Sequence, residues 1–124
     1  MTIKAESHHS INYIEFSAVD IPEAKRFFNA AFDWEFNDYG PDYVGIRNQN
    51  ADGECGGICR TESVVTGGPL VILYSIDLQA SLASVQRAGG KVTREIFSFP
   101  GGQRFQFCDP SGNELAVWSD QANI

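Results

Sequence analysis

Phe105-Gln106-Phe107-Cys108-Asp109-Pro110-Ser111-Gly112-Asn113-Glu114-Leu115-Ala116-Val117-Trp118 reads as strand, tight turn, strand. Pro110 presets φ, Asp109 can accept from the backbone ahead of it, and Gly112 tolerates a positive φ. Apolar residues alternate on both sides of the turn, as in a half-buried antiparallel pair.

Working back from this hairpin, Pro100-Gly101-Gly102 is a turn and Lys91 to Phe99 a strand. Gly89-Gly90 ends a helix whose buried face is Leu78, Leu82, Val85 and Ala88 and whose cap is Asp77. Leu70 to Ile76 is an apolar strand, and Thr61 to Gly68 a polar connector. The first half repeats the order. Ile11 to Ala18 alternates as a strand, and Asp20 caps a helix that runs to about Phe32, with Pro22 in its first turn and Glu23 at the capping-box position. That helix buries Ala24, Phe27, Phe28, Ala31 and Phe32. Three strands follow, at Trp34 to Tyr39, Tyr43 to Asn48 and Glu54 to Arg60. Gly56-Gly57 inside the last of them marks a bulge or the close approach of another group.

The chain is therefore strand, helix, strand, strand, strand, twice over. Asp20 overlies Asp77, and, after a short gap, Asp52-Gly53 overlies Ser111-Gly112. The expected fold class is α+β: two βαβββ modules, residues 11–60 and 69–119, whose curled mixed sheets pair around a groove in a single domain over residues 1–124. With 124 residues the chain can bury one shared core.

Composition excludes several functions. A net charge of −7 provides no basic stripe for nucleic acid and no attraction to an anionic membrane. The longest apolar run, Leu70 to Tyr74, is too short to span a bilayer. Cys55, Cys59 and Cys108 form no disulfide-rich pattern, and the polar first ten residues show no apolar leader, so a soluble cytoplasmic protein is expected. His8-His9 lies in that loose polar arm, and the tail from Ser119 to Ile124 is expected to fray.

Ile11-Asn12-Tyr13-Ile14-Glu15-Phe16 leading to Asp20 and the Phe27-Phe28 helix, then Phe32-Asp33-Trp34, Gly56-Gly57-Ile58, Ala88-Gly89-Gly90-Lys91-Val92, Pro100-Gly101-Gly102 and Asp109-Pro110-Ser111-Gly112-Asn113 together resemble the vicinal oxygen chelate superfamily, also called the glyoxalase/bleomycin-resistance/dioxygenase superfamily. The resemblance covers about residues 11–119, with small single-chain members as the nearest type. It implies the paired-module fold and a homodimer. It also implies four metal-ligand positions in those members that use a metal, which fall here on Tyr13, Gly57, Leu70 or Val71, and Ala116. Leu, Val, Ala and Gly offer no side-chain donor, and one Tyr does not hold a divalent ion. No metal or other cofactor is expected, and no catalytic residue is assigned.

Alternation gives the groove lining that remains: Tyr13, Glu15 and Ser17; Cys55, Gly57 and Cys59; Leu70, Ile72 and Tyr74; Glu114, Ala116 and Trp118. Arg104, beside Pro100-Gly101-Gly102, is a candidate for binding a ligand carboxylate or phosphate, and Arg104 or Arg60 would partner the two glutamates. Cys55 and Cys59 stand about 14 Å apart on an extended strand, too far for a disulfide within it. Each residue has a plainer role open to it: aromatics filling a small cleft, solvated carboxylates, cysteines as small hydrophobes. The lining, with its two carboxylates, suits a flat organic ligand with a positive or hydrogen-bond-donating group, bound without the family metal. The alternative is a glyoxalase-type lyase or isomerase using an off-register metal or acid–base chemistry through Glu15 and Glu114. A third reading is a dimeric interaction module.

Overall fold

The computed structural model describes residues 8–121. Residues 1–7 of the expected arm and 122–124 of the expected tail lie outside the described residues. The elements run β1 (Ile14–Ala18), α1 (Ile21–Phe32), β2 (Phe36–Asp38), β3 (Tyr43–Arg47), β4 (Glu54–Arg60), β5 (Val71–Tyr74), α2 (Leu78–Ala88), β6 (Lys91–Phe99), β7 (Gly102–Cys108) and β8 (Glu114–Ser119). They form two four-stranded mixed sheets, ordered β1-β4-β3-β2 and β5-β8-β7-β6. In each, the first strand pairs in parallel with the last and the other ladders are antiparallel.

The repeat is physical as well as textual. Asp20 and Asp77 both stand in extended backbone as N-caps, accepting from the backbone N–H of Glu23 and Ala80. Only half of a capping box forms, because the Glu23 side chain does not return a bond to Asp20 among the described residues. Gly53 and Gly112, matched by the repeat, both take positive φ, at 92° and 104°. The first and fifth strands start later than alternation implied, at Ile14 and Val71, and β2 is cut to three residues.

Each sheet turns one face to the helices. Phe16, Ala18, Val44, Ile46 and Ile58 from the first sheet join Phe105, Phe107, Leu115 and Val117 from the second in one core. Helices α1 and α2 pack against each other, and their contact is the main junction of the modules. Phe27 sits at that junction, with its ring centre 6.0 Å from Phe107 of the other module. Phe28 stacks on Trp34 at 4.5 Å with planes 8° apart. The sheet faces turned away from the core are left open, with Ile72 43% and Tyr74 50% exposed.

The hairpin between β7 and β8 fastens the modules from one side. Asp109 is only 5% exposed. Its Oδ1 accepts from the backbone N–H of Ser111, Gly112 and Asn113 at 2.8–3.0 Å, and its Oδ2 from Asn113 Nδ2. The same Asn113 amide donates to the Ser17 carbonyl at 2.7 Å, and Ser111 Oγ accepts from Val19 N–H. The turn is thus a buried anion cage that also grips β1. Asp109→Ala leaves three backbone donors without this acceptor and is expected to cost about 2–3 kcal/mol in urea unfolding.

Burial raises the Asp109 carboxyl pKa above its ordinary 3.8, outweighing the hydrogen bonds that lower it. A folded-state pKa raised above the unfolded one favours folding at acid pH. This contribution is complete below the unfolded value and is lost as pH rises through the folded one. The wild-type advantage over Asp109→Ala should therefore widen as pH falls through the carboxylate range; an advantage that shrinks would refute this.

Candidate functional site

On the open face of the first sheet, the phenols of Tyr13 and Tyr43 lie 2.6 Å apart, and Tyr43 Oη donates to Glu15 Oε1 at 3.0 Å. Tyr43 has one proton and gives it to Glu15, so Tyr13 is the donor between the phenols. Burial, then the bonds to Tyr13 and Glu15, push the Tyr43 phenol far up, and it stays protonated. The chain passes over Gly57, where a Cβ would meet both hydroxyls. Cys59, farther along β4, is half-buried.

A second phenol–carboxylate pair lies beside it. Tyr39 Oη donates to Glu54 Oε2 at 2.6 Å and Asn37 Nδ2 to the same oxygen at 2.8 Å. These bonds hold the Glu54 carboxyl below its usual value, and the bond to Glu54 raises the Tyr39 phenol. Alternation placed Cys55 in the groove and Glu54 out of it. The structure corrects this, because the β3–β4 ladder slips at Ile46/Arg47, so that Glu54 pairs with Arg47 while Gly56 pairs with Ile46. Cys55 is the extra residue of a bulge, and the Glu54 carboxylate lies over Gly45.

On the open face of the second sheet, Trp118 meets Tyr74 edge-on at 5.3 Å and Phe99 at 6.2 Å. Ile72, Phe99, Arg104 and Trp118 line a cavity of about 270 Å³. Glu114 Oε2 accepts from Thr93 Oγ1 at 2.9 Å and Gln106 Nε2 at 3.3 Å. Arg60 pairs with Glu62, and Arg104 touches no carboxylate among the described residues, so neither partners Glu15 or Glu114 as expected. Larger hollows of about 540 Å³ lie elsewhere; the one at the start of α1 contains Lys25, already salt-bridged to Asp38.

The expected groove residues are thus divided. Tyr13, Glu15 and Gly57 form one cluster, while Tyr74, Arg104 and Trp118 form another. Glu15 and Glu114 meet across a hollow of about 410 Å³ under the connector. Leu70 falls just before β5, and Ala116 is fully buried, paired with Ile72 and Gln106. Val71 packs toward the core, which leaves Leu70 as the counterpart of Tyr13. Among the described residues no three His, Cys, Asp or Glu side chains converge as metal ligands. Sequence reasoning missed Tyr43, Glu54 and Phe97. Tyr43 alternates with Val44 and was findable; Glu54 was hidden by the bulge.

Residues 10–117 match the family model described as the glyoxalase/bleomycin resistance protein/dioxygenase superfamily. The chain belongs to that superfamily. A "glyoxylase-like domain-containing protein" from Didymella fabae is 27% identical to this superfamily member over 119 residues, covering 89% of this chain and 93% of its own. Among solved structures, a glyoxalase-related enzyme from Fulvimarina pelagi superposes with a TM-score of 0.75 at 16% identity, over 90% of this chain and 88% of the other. TnmS3, an antibiotic-binding protein from Streptomyces sp. CB03234, superposes at 0.68 with 20% identity, over 94% and 98%. At these identities the superpositions establish the glyoxalase-like fold alone. No helix among the described residues is long and apolar enough to cross a membrane.

Proposed function

We propose that this superfamily member binds a small organic molecule on its open sheet surface, without the family's metal. The observation that carries the reading is the aromatic corner of Tyr74, Trp118 and Phe99 around the cavity beside Ile72. It combines apolar walls with few polar groups, the usual make-up of a small-molecule site. The likeness to an antibiotic-binding protein supports the same class of ligand. Exposed Ile72 and Tyr74 also accord with a homodimer that would narrow the open faces into clefts.

The donor chemistry supports the metal-free part. Gly57, Leu70 and Ala116 supply no ligand atom, and the space a side chain would need at Gly57 is taken by Tyr13 and Tyr43. A glyoxalase-type lyase or isomerase gains one observation, the shared hollow of Glu15 and Glu114. Both carboxylates are, however, already engaged by donors of their own sheets.

A thermal-shift screen of aromatic and heteroaromatic compounds tests the binding. Trp118→Ala is expected to weaken each hit by at least about tenfold, or 1.4 kcal/mol. Hits that shift both proteins equally would remove the assignment. After loading with Zn²⁺, Ni²⁺, Mn²⁺ or Fe²⁺ and desalting, less than about 0.1 metal per chain is expected. Stoichiometric metal that Glu114→Gln abolishes would instead establish the lyase-type site.

A further inference from the structure

A single row of side chains crosses all four strands of the second sheet: Phe97 pairs with Arg104, Arg104 with Trp118, and Trp118 with Tyr74. In its middle is a cation between aromatic rings. The Arg104 guanidinium carbon lies 5.3 Å from the centre of the Phe97 ring, and Arg94 caps the same ring at 3.6 Å. The chain has 16 acidic residues against nine lysines and arginines, yet neither of these two arginines meets a carboxylate among the described residues, whereas Arg47 and Arg60 do. Arg104 is also short of acceptors. Among the described residues its Nε is buried with no partner, its Nη1 makes no hydrogen bond, and its Nη2 reaches Gln106 Oε1 only at 3.4 Å. A guanidinium is a rigid fork that binds a planar two-oxygen anion through two parallel N–H bonds.

We infer that the cavity of Ile72, Phe99, Arg104 and Trp118 takes a flat organic anion, an aromatic carboxylate or its equivalent, with its ring against Trp118 and Phe99 and its oxygens on Arg104. The unpaired cation in an acidic protein selects the charge, and the aromatic walls select the flat body. Gln106 stands between this site and Glu114, accepting from Arg104 and donating to the carboxylate, so Glu114 is kept one residue away from the anion. The inference rests on the small-molecule reading of this sheet face and adds the sign and shape of the ligand.

Calorimetric titration of the full chain with 2-naphthoate and its neutral isostere 2-naphthamide tests it. The wild type is expected to bind the acid at least about tenfold more tightly than the amide, as a bidentate charge-assisted pair requires. Arg104→Met should erase that preference; Arg104→Lys should keep the charge but lose most of the gain. If Arg104→Met does not fold, salt decides with the wild type alone. Between about 50 and 500 mM KCl, naphthoate must weaken and naphthamide must not. Equal affinities for acid and amide, both dependent on Trp118, would overturn the anion and leave the small-molecule reading standing. No Trp118-dependent binding of any aromatic compound would overturn both. A dimer that dissociates on Arg104→Met, in a protein that ignores naphthoate, would show that a second copy of the chain occupies the site and overturn the inference.

Discussion

Phe27→Ala is expected to lower stability by about 3–5 kcal/mol, the range for deleting a buried aromatic ring. Phe27 is 1% exposed and belongs to both modules in effect. Its ring meets Phe28 edge-on at 5.0 Å within α1, Phe32 at 6.4 Å, and Phe107 of β7 at 6.0 Å. On its far side is Gly90, where an added Cβ would stand 2.8 Å from the ring. Removing the ring opens a void between two modules joined mainly at their helices, and the rigid neighbours cannot close it. Phe27→Leu should cost about 1–1.5 kcal/mol, since much of the volume is kept. Urea unfolding checks both. A loss below about 1 kcal/mol for the alanine variant would mean that the junction can collapse around the gap.

Gly56→Ala is expected to cost about 3 kcal/mol, the upper end of overpacking. Gly56 pairs with Ile14 in the parallel β1–β4 ladder, and a Cβ there would run into the Ile14 carbonyl oxygen. The obstacle is backbone, so a whole strand must move to admit one methyl. Gly57→Ala is a useful contrast, because its obstacles are the phenol tips of Tyr43 and Tyr13, which can swing aside. It should cost less stability while breaking the Tyr13–Tyr43–Glu15 chain. Melting curves of the two variants give the order, and Gly57→Ala proving the more damaging would refute the explanation.

The sequence-level expectation of a bulge or close approach at Gly56-Gly57 was sound, but it did not separate two glycines with different neighbours. The same limit recurs elsewhere. Asp20, Asp77, Gly89 and the Asp109 turn were legible because capping and turn chemistry depend on residues a few positions apart. The apolar faces of both helices were legible from their period, while their packing on each other was not, since periodicity shows which face is buried and not what covers it. Asp33 ends α1 at φ 62° with no glycine to announce it. Of the site, Trp118, Tyr74 and Arg104 were visible as alternating strand residues. Glu54 came to the open face over Gly45 and Cys55 dropped out of the ladder because one bulge breaks alternation. Phe97 and Arg94 lie on β6, whose ladder slips twice, so counting by two loses their facing.

The grip of the Asp109 turn on β1 has no counterpart across the repeat. Asn113 reaches the Ser17 carbonyl, but no residue of the matching stretch, 50–54, bonds to Tyr74, the equivalent of Ser17, among the described residues. The duplication is symmetric in backbone and lopsided in fastening. The molecule therefore has a stiff seam at Ser17 and Asn113 and a soft one along the 540 Å³ hollow of Trp34, Asn50 and Tyr74. Local opening is expected to start at this less-fastened seam, beside Tyr74, so that amide exchange there should outpace exchange around Ser17 and Asn113.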